Sequence, residues 1–427
     1  MTWFESIRHA WPWVKNPYGF LERCVQQEES FPFPRHMPVM GKTLFTGDAD
    51  LIRFINNHPD LAAGKGIVAL RPILGDDSLI MLDDDDHAKR KKAVYPSFHG
   101  TPMKRLDRAY FDAAERMAKA LPKNETFPIY QLLHDVALEA ITKFMFGEQT
   151  QEELDDAMEA VNDFLYAFSS SSLLFLKPLQ RNLGPFSPWG RAVRTRTRLR
   201  HLCHEHIAKT RAGKKNDGVI SEITLRAEDL SDDSLITEVL TLLMFGHDTS
   251  AQTMTWAIAL LHQNQESLEK VREEVNAVSL EDPLSPNSFP YLQACINESM
   301  RMRPVVVHIT RVVNRPLMIG DVELVQGDRV APSPWLTHHN PSYWPNPSQY
   351  DPERFLGRPP APFTWLPFGI GQRTCIGRAF AQRQMPMIFA GILRNRRLKL
   401  AANYTPAPER NMVLIVPKDG CPMQVEP

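Results

Sequence analysis

The chain has 427 residues, with 49 basic and 50 acidic side chains and a formal net charge of −1. That balance supplies no global field for nucleic acid. Five cysteines, at positions 24, 203, 295, 375 and 421, are odd in number and irregularly spaced; they exclude a disulfide framework and read as reduced thiols of an intracellular, cytoplasmic protein.

The start, MTWFESIRHAWPWVKNPYGF, mixes charge and proline among its aromatics. It lacks the apolar centre and small-residue cleavage site of a signal peptide. No run along the chain approaches the ~20 apolar residues that span a bilayer. Prolines cluster near the N-terminus and again between Pro332 and Pro367, while long helical patterns fill the middle. A helix start at Asp86-His87-Ala88-Lys89-Arg90-Lys91 puts His87 and Lys91, four apart, on one face. Cys203-His204-Glu205-His206 carries metal-ligand letters, but His204 and His206 point to different helix faces, so no zinc site is expected there.

The clearest helix begins after Ser231, an N-cap with Asp232 and Asp233 in the first turn. It runs through LITEVLTLLMFGHDTSAQTMTWAIALLHQ, about 30 residues and ~45 Å. Apolar nearly all round, it is expected to be buried at the centre of a large domain. At its middle stand four polar or tiny residues, Gly246-His247-Asp248-Thr249, and such residues are costly in a core without a purpose. Further helices are expected over Ser267–Val278 and Tyr291–Met302, the latter stopped by Pro304. Short strands are expected at Arg311–Val313, Leu317–Leu324, Arg329–Ala331 and Asn411–Val416. Near the C-terminus comes Phe368-Gly369-Ile370-Gly371-Gln372-Arg373-Thr374-Cys375-Ile376-Gly377. Glycines at 369, 371 and 377 allow tight turns. A helix starting just after Cys375 would favour a thiolate through its amides and dipole.

This last stretch resembles the cysteine loop of the cytochrome P450 family, in which the thiolate binds haem iron and favours O–O cleavage. The resemblance covers roughly residues 40 to 420. It implies a mainly α fold with a minor β region, the triangular helical prism enclosing haem b, formed as one domain over 1–427 with residues 1–35 peripheral. By the same resemblance Cys375 is the iron ligand, Phe368 shields its sulfur, and Gly369 and Gly377 shape the loop. His87, Lys91, Arg311 and Arg373 are the expected propionate contacts; Lys91 stands where the family usually has arginine and so loses the bidentate fork. Gly246, Asp248 and Thr249 match the family's oxygen-activation motif, with the acid and alcohol relaying protons. Phe245 departs from that motif, since a small residue is usual there, and its ring is expected to crowd the distal face. Glu298 and Arg301 match Glu-x-x-Arg, and Arg354 in Pro-Glu-Arg-Phe would complete a buried structural triad. Gln384 replaces a usual acid, and Pro386 is expected to interrupt its helix.

Family position assigns the substrate pocket to Val68, Leu70, Leu74, Leu242, Phe245, Val305, Val306, Val307, Met412 and Val413, with Leu173–Leu176 as an apolar lid. That lining suits a hydrophobic small molecule such as a terpenoid, steroid or fatty acyl compound. The chain after Cys375 is too short for a fused reductase, so the expected electron donors are separate, ferredoxin and ferredoxin reductase, docking near Arg90, Lys92, Arg373 and Arg383. The expected enzyme is a monomeric, bacterial-type monooxygenase using dioxygen. A peroxide-driven peroxygenase and a haem-thiolate ligand sensor are the alternatives.

Overall fold

The apolar run after Ser231 starts as the sequence predicts and breaks at its centre. Ser231 accepts a hydrogen bond from the Ser234 amide, and a helix follows over Asp232–Gly246 (α3). A second helix, Asp248–Gln263 (α4), continues the line. Between them the helix is interrupted at His247, whose φ is stretched to −116° with ψ −55°. The structure, a computed structural model, describes residues 12–426 apart from 14, 28–30, 38–39, 105, 124, 148, 169–179 and 185–186. The expected lid, Leu173–Leu176, lies outside the described residues, as does the side chain of Val68, whose backbone belongs to the Gly64–Leu70 turn.

Four other helices frame the centre: Asp84–Val94 (α1), Ile129–Phe146 (α2), Pro290–Met302 (α5) and Arg378–Asn395 (α6). Helix α2 packs along α4 and α5 packs on its other flank, which buries α4 almost throughout. Pro386 does not interrupt α6. The helix runs through it, with Pro386 buried in the middle, so packing on both sides outweighs the lost amide donor. Among the described residues no helix is long and apolar enough to cross a membrane.

The β part is small. Its largest sheet has the order Phe33–Met37, Gly41–Thr46, Arg329–Pro332, Arg311–Val313, Leu61–Ala62. Only the pair Gly41–Thr46 with Arg329–Pro332 is parallel, with Thr43 opposite Arg329. Two expected strands are hairpins instead. Leu317–Ile319 turns at Gly320 into Val322–Leu324, and Pro408–Asn411 turns at Met412, whose φ is +53°, into Leu414–Pro417.

The N-terminal segment, expected to be peripheral, is packed into the body from Trp13 onward. Trp13, Tyr18, Phe20 and Leu21 share a buried cluster with Trp256, Trp335 and Ile415. The Tyr18 hydroxyl donates to the Pro304 carbonyl at 3.0 Å. Aromatic side chains of this size gain too much from burial to remain on a surface arm. The family fold holds, mainly helical with a minor β region.

Candidate active site

The cysteine loop is shaped by its own backbone. The Cys375 amide donates to the Phe368 carbonyl at 2.8 Å, and the Thr374 amide donates to Gly371 at 3.1 Å. Gly369 and Gly371 sit at φ +74° and +57°; a Cβ on Gly371 would meet the Asn56 side chain at 2.2 Å. Both positions therefore require glycine. Helix α6 starts at Arg378, directly after Gly377. Burial raises the Cys375 thiol pKa, while the Gly377 and Arg378 amides and the cations Lys91 and Arg378 pull it down. The other four cysteines are buried and make no disulfide.

This loop is anchored from behind by the expected triad. Arg301 and Glu298 are fully buried and pair through two bonds of 2.7 Å. The remaining guanidinium protons reach the carbonyls of His338 (2.9 Å), Pro347 (2.8 Å) and Gln349 (3.2 Å), so all five donors are used. Arg354 approaches Glu298 at 3.6 Å. His338 was not found by the sequence reading. Its Nδ1 lies 3.2 Å from the Arg301 carbonyl and its Nε2 accepts from the Leu366 amide at 2.7 Å, which ties α5 to the start of the cysteine loop.

Cys375 opens onto a mostly apolar cavity of about 380 Å³. Leu242, Phe245, Gly246 and Thr249 line its far wall, with Val305, Val306 and Arg311 beside them. Of the expected pocket residues, Leu70, Leu74, Val307, Met412 and Val413 are not in this lining. Leu70 and Leu74 are core residues, and Val307 is buried with Trp13 and Trp335, its carbonyl held by Ser333, where the chain bends after Val306. Met412 and Val413 form the hairpin turn described above.

Gly246 has a packing reason for its size: a Cβ there would meet Ile141 Cδ1 at 2.8 Å, so it lets α3 approach α2. At the His247 break, the Thr249 hydroxyl donates to the Phe245 carbonyl at 2.7 Å. Its oxygen remains an acceptor at the cavity. Asp248 does not reach this cavity. Its carboxylate accepts from the Tyr130 hydroxyl at 2.9 Å and from Gln252 at 3.2 Å, because adjacent helical residues lie about 100° apart around the axis. Tyr130 carried no signal in the sequence. Gln384 is buried in α6 and donates to Ser250 at 2.9 Å, next to the cavity wall.

Four basic side chains border the cavity beside Cys375: His87, Lys91, Arg311 and Arg373. Burial lowers the pKa of each, and repulsion by Arg373 adds to it for the other three. His87 is brought to about 4 and Arg311 to about 10, each with Arg373 as the largest charge acting on it. Lys91 donates to the carbonyls of Gln372 (2.5 Å) and Thr374 (3.2 Å). Arg373 pairs with Asp83 and donates to the Leu82 carbonyl. Asp83 was missed because it is one of four consecutive aspartates, 83–86, without helical or strand spacing. Arg311 is 6% exposed, and among the described residues its hydrogen bond is to the Thr310 carbonyl at 3.2 Å. A buried guanidinium without a carboxylate, among further cations and beside a thiol, fits a flat cofactor that brings its own carboxylates. Haem meets that description.

A more open depression of about 850 Å³ lies on the outer side of the loop, with Lys91, Lys92, Tyr95 and Arg378 in its lining. Arg90 and Arg383, expected near it, are committed elsewhere. Arg90 is buried against Glu238, and Arg383 pairs with Asp107. No group of three or more potential metal ligands occurs among the described residues, and His204 faces outward while Cys203 is buried.

The sequence profile of the cytochrome P450 family matches residues 10–422. The chain belongs to the cytochrome P450 family. Family membership makes it an oxidoreductase of the haem-thiolate monooxygenase class. A Mycobacterium tuberculosis protein provisionally named cytochrome P450 135B1 is 28% identical over 423 residues, covering 96% of this chain and 88% of that protein. A Mycobacterium bovis protein provisionally named cytochrome P450 138 is 29% identical over 399 residues, covering 91% and 87%. Among solved structures, retinoic acid-bound cyanobacterial CYP120A1 superposes with a TM-score of 0.82 at 20% identity, covering 98% of this chain and 96% of that one. The cytochrome P450DA haem domain gives 0.79 at 19% identity, with 98% and 95% covered. At these identities the structures speak for the fold.

Proposed function

We propose that this P450 inserts one atom of dioxygen into a C–H or C=C bond of a hydrophobic small molecule, using haem b and electrons from separate proteins. The supporting observation is the single cavity that has Cys375 on one wall, Thr249 on the opposite wall and the cation cluster at its edge. Cys375 would hold the iron, and His87, Lys91, Arg311 and Arg373 the propionates. The haem, when bound, supplies the redox chemistry that activates dioxygen. The rest falls to the chain. Phe245, Leu242, Val305 and Val306 would hold the substrate by apolar contact, where each Å² buried contributes about 25 cal/mol. An unpaired polar substituent there would cost about 1–3 kcal/mol. With its own proton directed to Phe245, Thr249 would hold a water by accepting from it, and would release a proton into the cavity when its hydroxyl turns. Asp248, on the far side of α4 with Tyr130, would take protons from outside. Each turnover consumes two electrons and two protons, and the second oxygen atom leaves as water.

For the electron donor, the exposed Lys92 and Arg378 in the outer depression would attract an acidic ferredoxin, more weakly as salt rises. The test is turnover with a surrogate ferredoxin, its reductase and labelled dioxygen, over a panel of ligands first selected by Soret shifts. Label in the product, and none without the donor, is the expected result. Product formed only with added peroxide would give the peroxygenase reading instead, and ligand binding without any product the sensor reading.

A further inference from the structure

The segment from Asp77 to Asp83 crosses the cavity between α1 and α3. Leu79 and Ile80, in its middle, belong to the cavity wall. Alone, such a short irregular strap has few ways to keep its shape. Here it is tied from three directions. From α3, Glu238 accepts the Leu79 amide at 2.9 Å, and Thr241 shares a 2.9 Å hydrogen bond with Ser78. From α1, Arg90 donates to the Asp77 carbonyl and to the Asp77 carboxylate, both at 2.8 Å. From the cysteine loop, Arg373 takes the Leu82 carbonyl and the Asp83 side chain. Joining the first two ties is an ion pair in the interior: Arg90 to Glu238 at 2.5 Å, with side-chain exposures of 7% and 0%. Glu238 sits two turns before Gly246 on the helix that carries Phe245 and Thr249.

We propose that the Arg90–Glu238 pair sets the substrate selectivity of the cavity, by holding Leu79 and Ile80 at a fixed distance from α3. This rests on the reading of the cavity as the substrate site. Neither residue touches the cavity itself; both are positioning residues. A buried ion pair is a poor source of stability, since apolar side chains of equal volume do as well. It is, however, a directional tie. An apolar pair in its place would let the strap slide, whereas the carboxylate holds one backbone amide and one guanidinium at fixed angles. The second carboxylate oxygen, Oε2, is buried without a partner, so Glu238 has nothing else to gain from its position. Arg90 was expected on the donor-docking face, and the strap explains why it points inward.

The test uses the haem-loaded full chain. In Arg90→Met, amides of residues 77–82 should exchange with solvent about tenfold faster or more, because the strap loses its α1 tie and part of its α3 tie. Apolar ligands of graded size, followed by Soret shift, should change their order of affinity, the best-fitting one losing about tenfold and the bulkier ones less. Glu238→Gln keeps an acceptor for both partners and should stay within about threefold of wild type in both measurements. The carbon monoxide band of the reduced protein should be unchanged throughout. Unchanged exchange in residues 77–82, or faster exchange with the ligand order preserved, overturns the proposal. If Arg90→Met does not fold, Arg90→Lys, which keeps a cation beside Glu238 but loses the fork that also holds Asp77, should shift exchange and ligand order the same way, and a shift in neither overturns it. Wild type that binds no apolar ligand would instead overturn the substrate-site reading, and the exchange data then decide the strap on their own.

Discussion

On the Cys375 side of the cavity, one unbroken stretch, residues 368–377, supplies the sulfur, the turns and the amides that face it. On the Thr249 side, the wall comes from segments far apart in sequence: the strap at 77–83, helices α3 and α4, and the chain after Pro304. The first wall is turned by its own backbone and pinned at a few points by Lys91, His338 and Arg373. The second is held by side chains that reach between elements, such as Arg90, Glu238, Tyr130 and Tyr18. A substitution in the first should therefore change one chemical property and leave the shape intact. A substitution in the second should change geometry, and chemistry only through it.

The largest effect is expected at the sulfur. Cys375→His should keep the loop, because the bond from residue 375 to Phe368 uses the backbone amide. The reduced protein with carbon monoxide should then lose the red-shifted Soret band of thiolate ligation completely, with the far-ultraviolet dichroism unaltered. A histidine variant that retained the band would remove Cys375 from the iron and with it the contrast between the two walls.

The next effect belongs to the broken helix. Thr249→Ala removes the hydroxyl that donates to the Phe245 carbonyl and should leave ligand affinity nearly unchanged. Product formed per electron pair should fall by about tenfold or more, with peroxide released instead. Asp248→Asn should slow turnover and disturb this ratio less, since Asp248 faces Tyr130 and not the cavity. Equal coupling in Thr249→Ala and wild type would show that the hydroxyl does no more than fill the break. An Asp248→Asn variant that uncouples as badly as Thr249→Ala would mean that the acid and alcohol act from the same side.

What could be read from the sequence follows the same division. The cysteine loop, the Glu298–Arg301 pair and the helix start at Ser231 are short-range patterns, in which spacing fixes which atoms meet; Arg354, far along the chain from Glu298, came from the family resemblance. The family and fold follow from them. The pocket was read less well. Val307 and Met412 follow from local turns: the chain bends after Val306 and carries Val307 into the aromatic cluster, and a left-handed residue at 412 converts a strand into a hairpin. Pro386 looked like a breaker because propensity says nothing of the packing that surrounds it. The break at His247 falls within Gly246-His247-Asp248-Thr249, where the sequence interrupts its apolar run, and it lets α3 approach Ile141 closely while Thr249 stays at the cavity. Glu238, Tyr130 and His338 are single letters whose partners lie 28 to 159 positions away, and no periodicity could announce them.

The smallest effect tests how far the second wall depends on dry packing. His308 follows the cavity residues Val305 and Val306 and is buried against Trp13, with ring centroids 5.2 Å apart and no hydrogen bond to Nδ1. Burial brings its pKa to about 4, as it does for His87, His247 and His262. In the unfolded chain these rings titrate near 6.5. Between those values the unfolded state binds more protons, so stability must fall as pH drops from about 6.5 towards 4. Glu238 and Asp107 work in the opposite direction. Their pKa values are raised by burial to about 7 and about 6, so the folded state holds the extra proton and gains stability on acidification over the same range. Burial also lowers the pKa of His206, His338 and His339 and raises that of Glu274 and Glu298, so seven histidines stand against four carboxyls and leave a net loss. His308→Phe removes one of these histidines without opening a cavity beside Trp13. In reversible urea unfolding at pH 7 and pH 5, the variant should lose about 2 kcal/mol less than wild type between the two pH values, the share of one ring titrating from 6.5. The same loss in both proteins would mean that His308 is hydrated or charged in the folded state, and that this part of the wall is wetter than its packing against Trp13 and Phe45 implies.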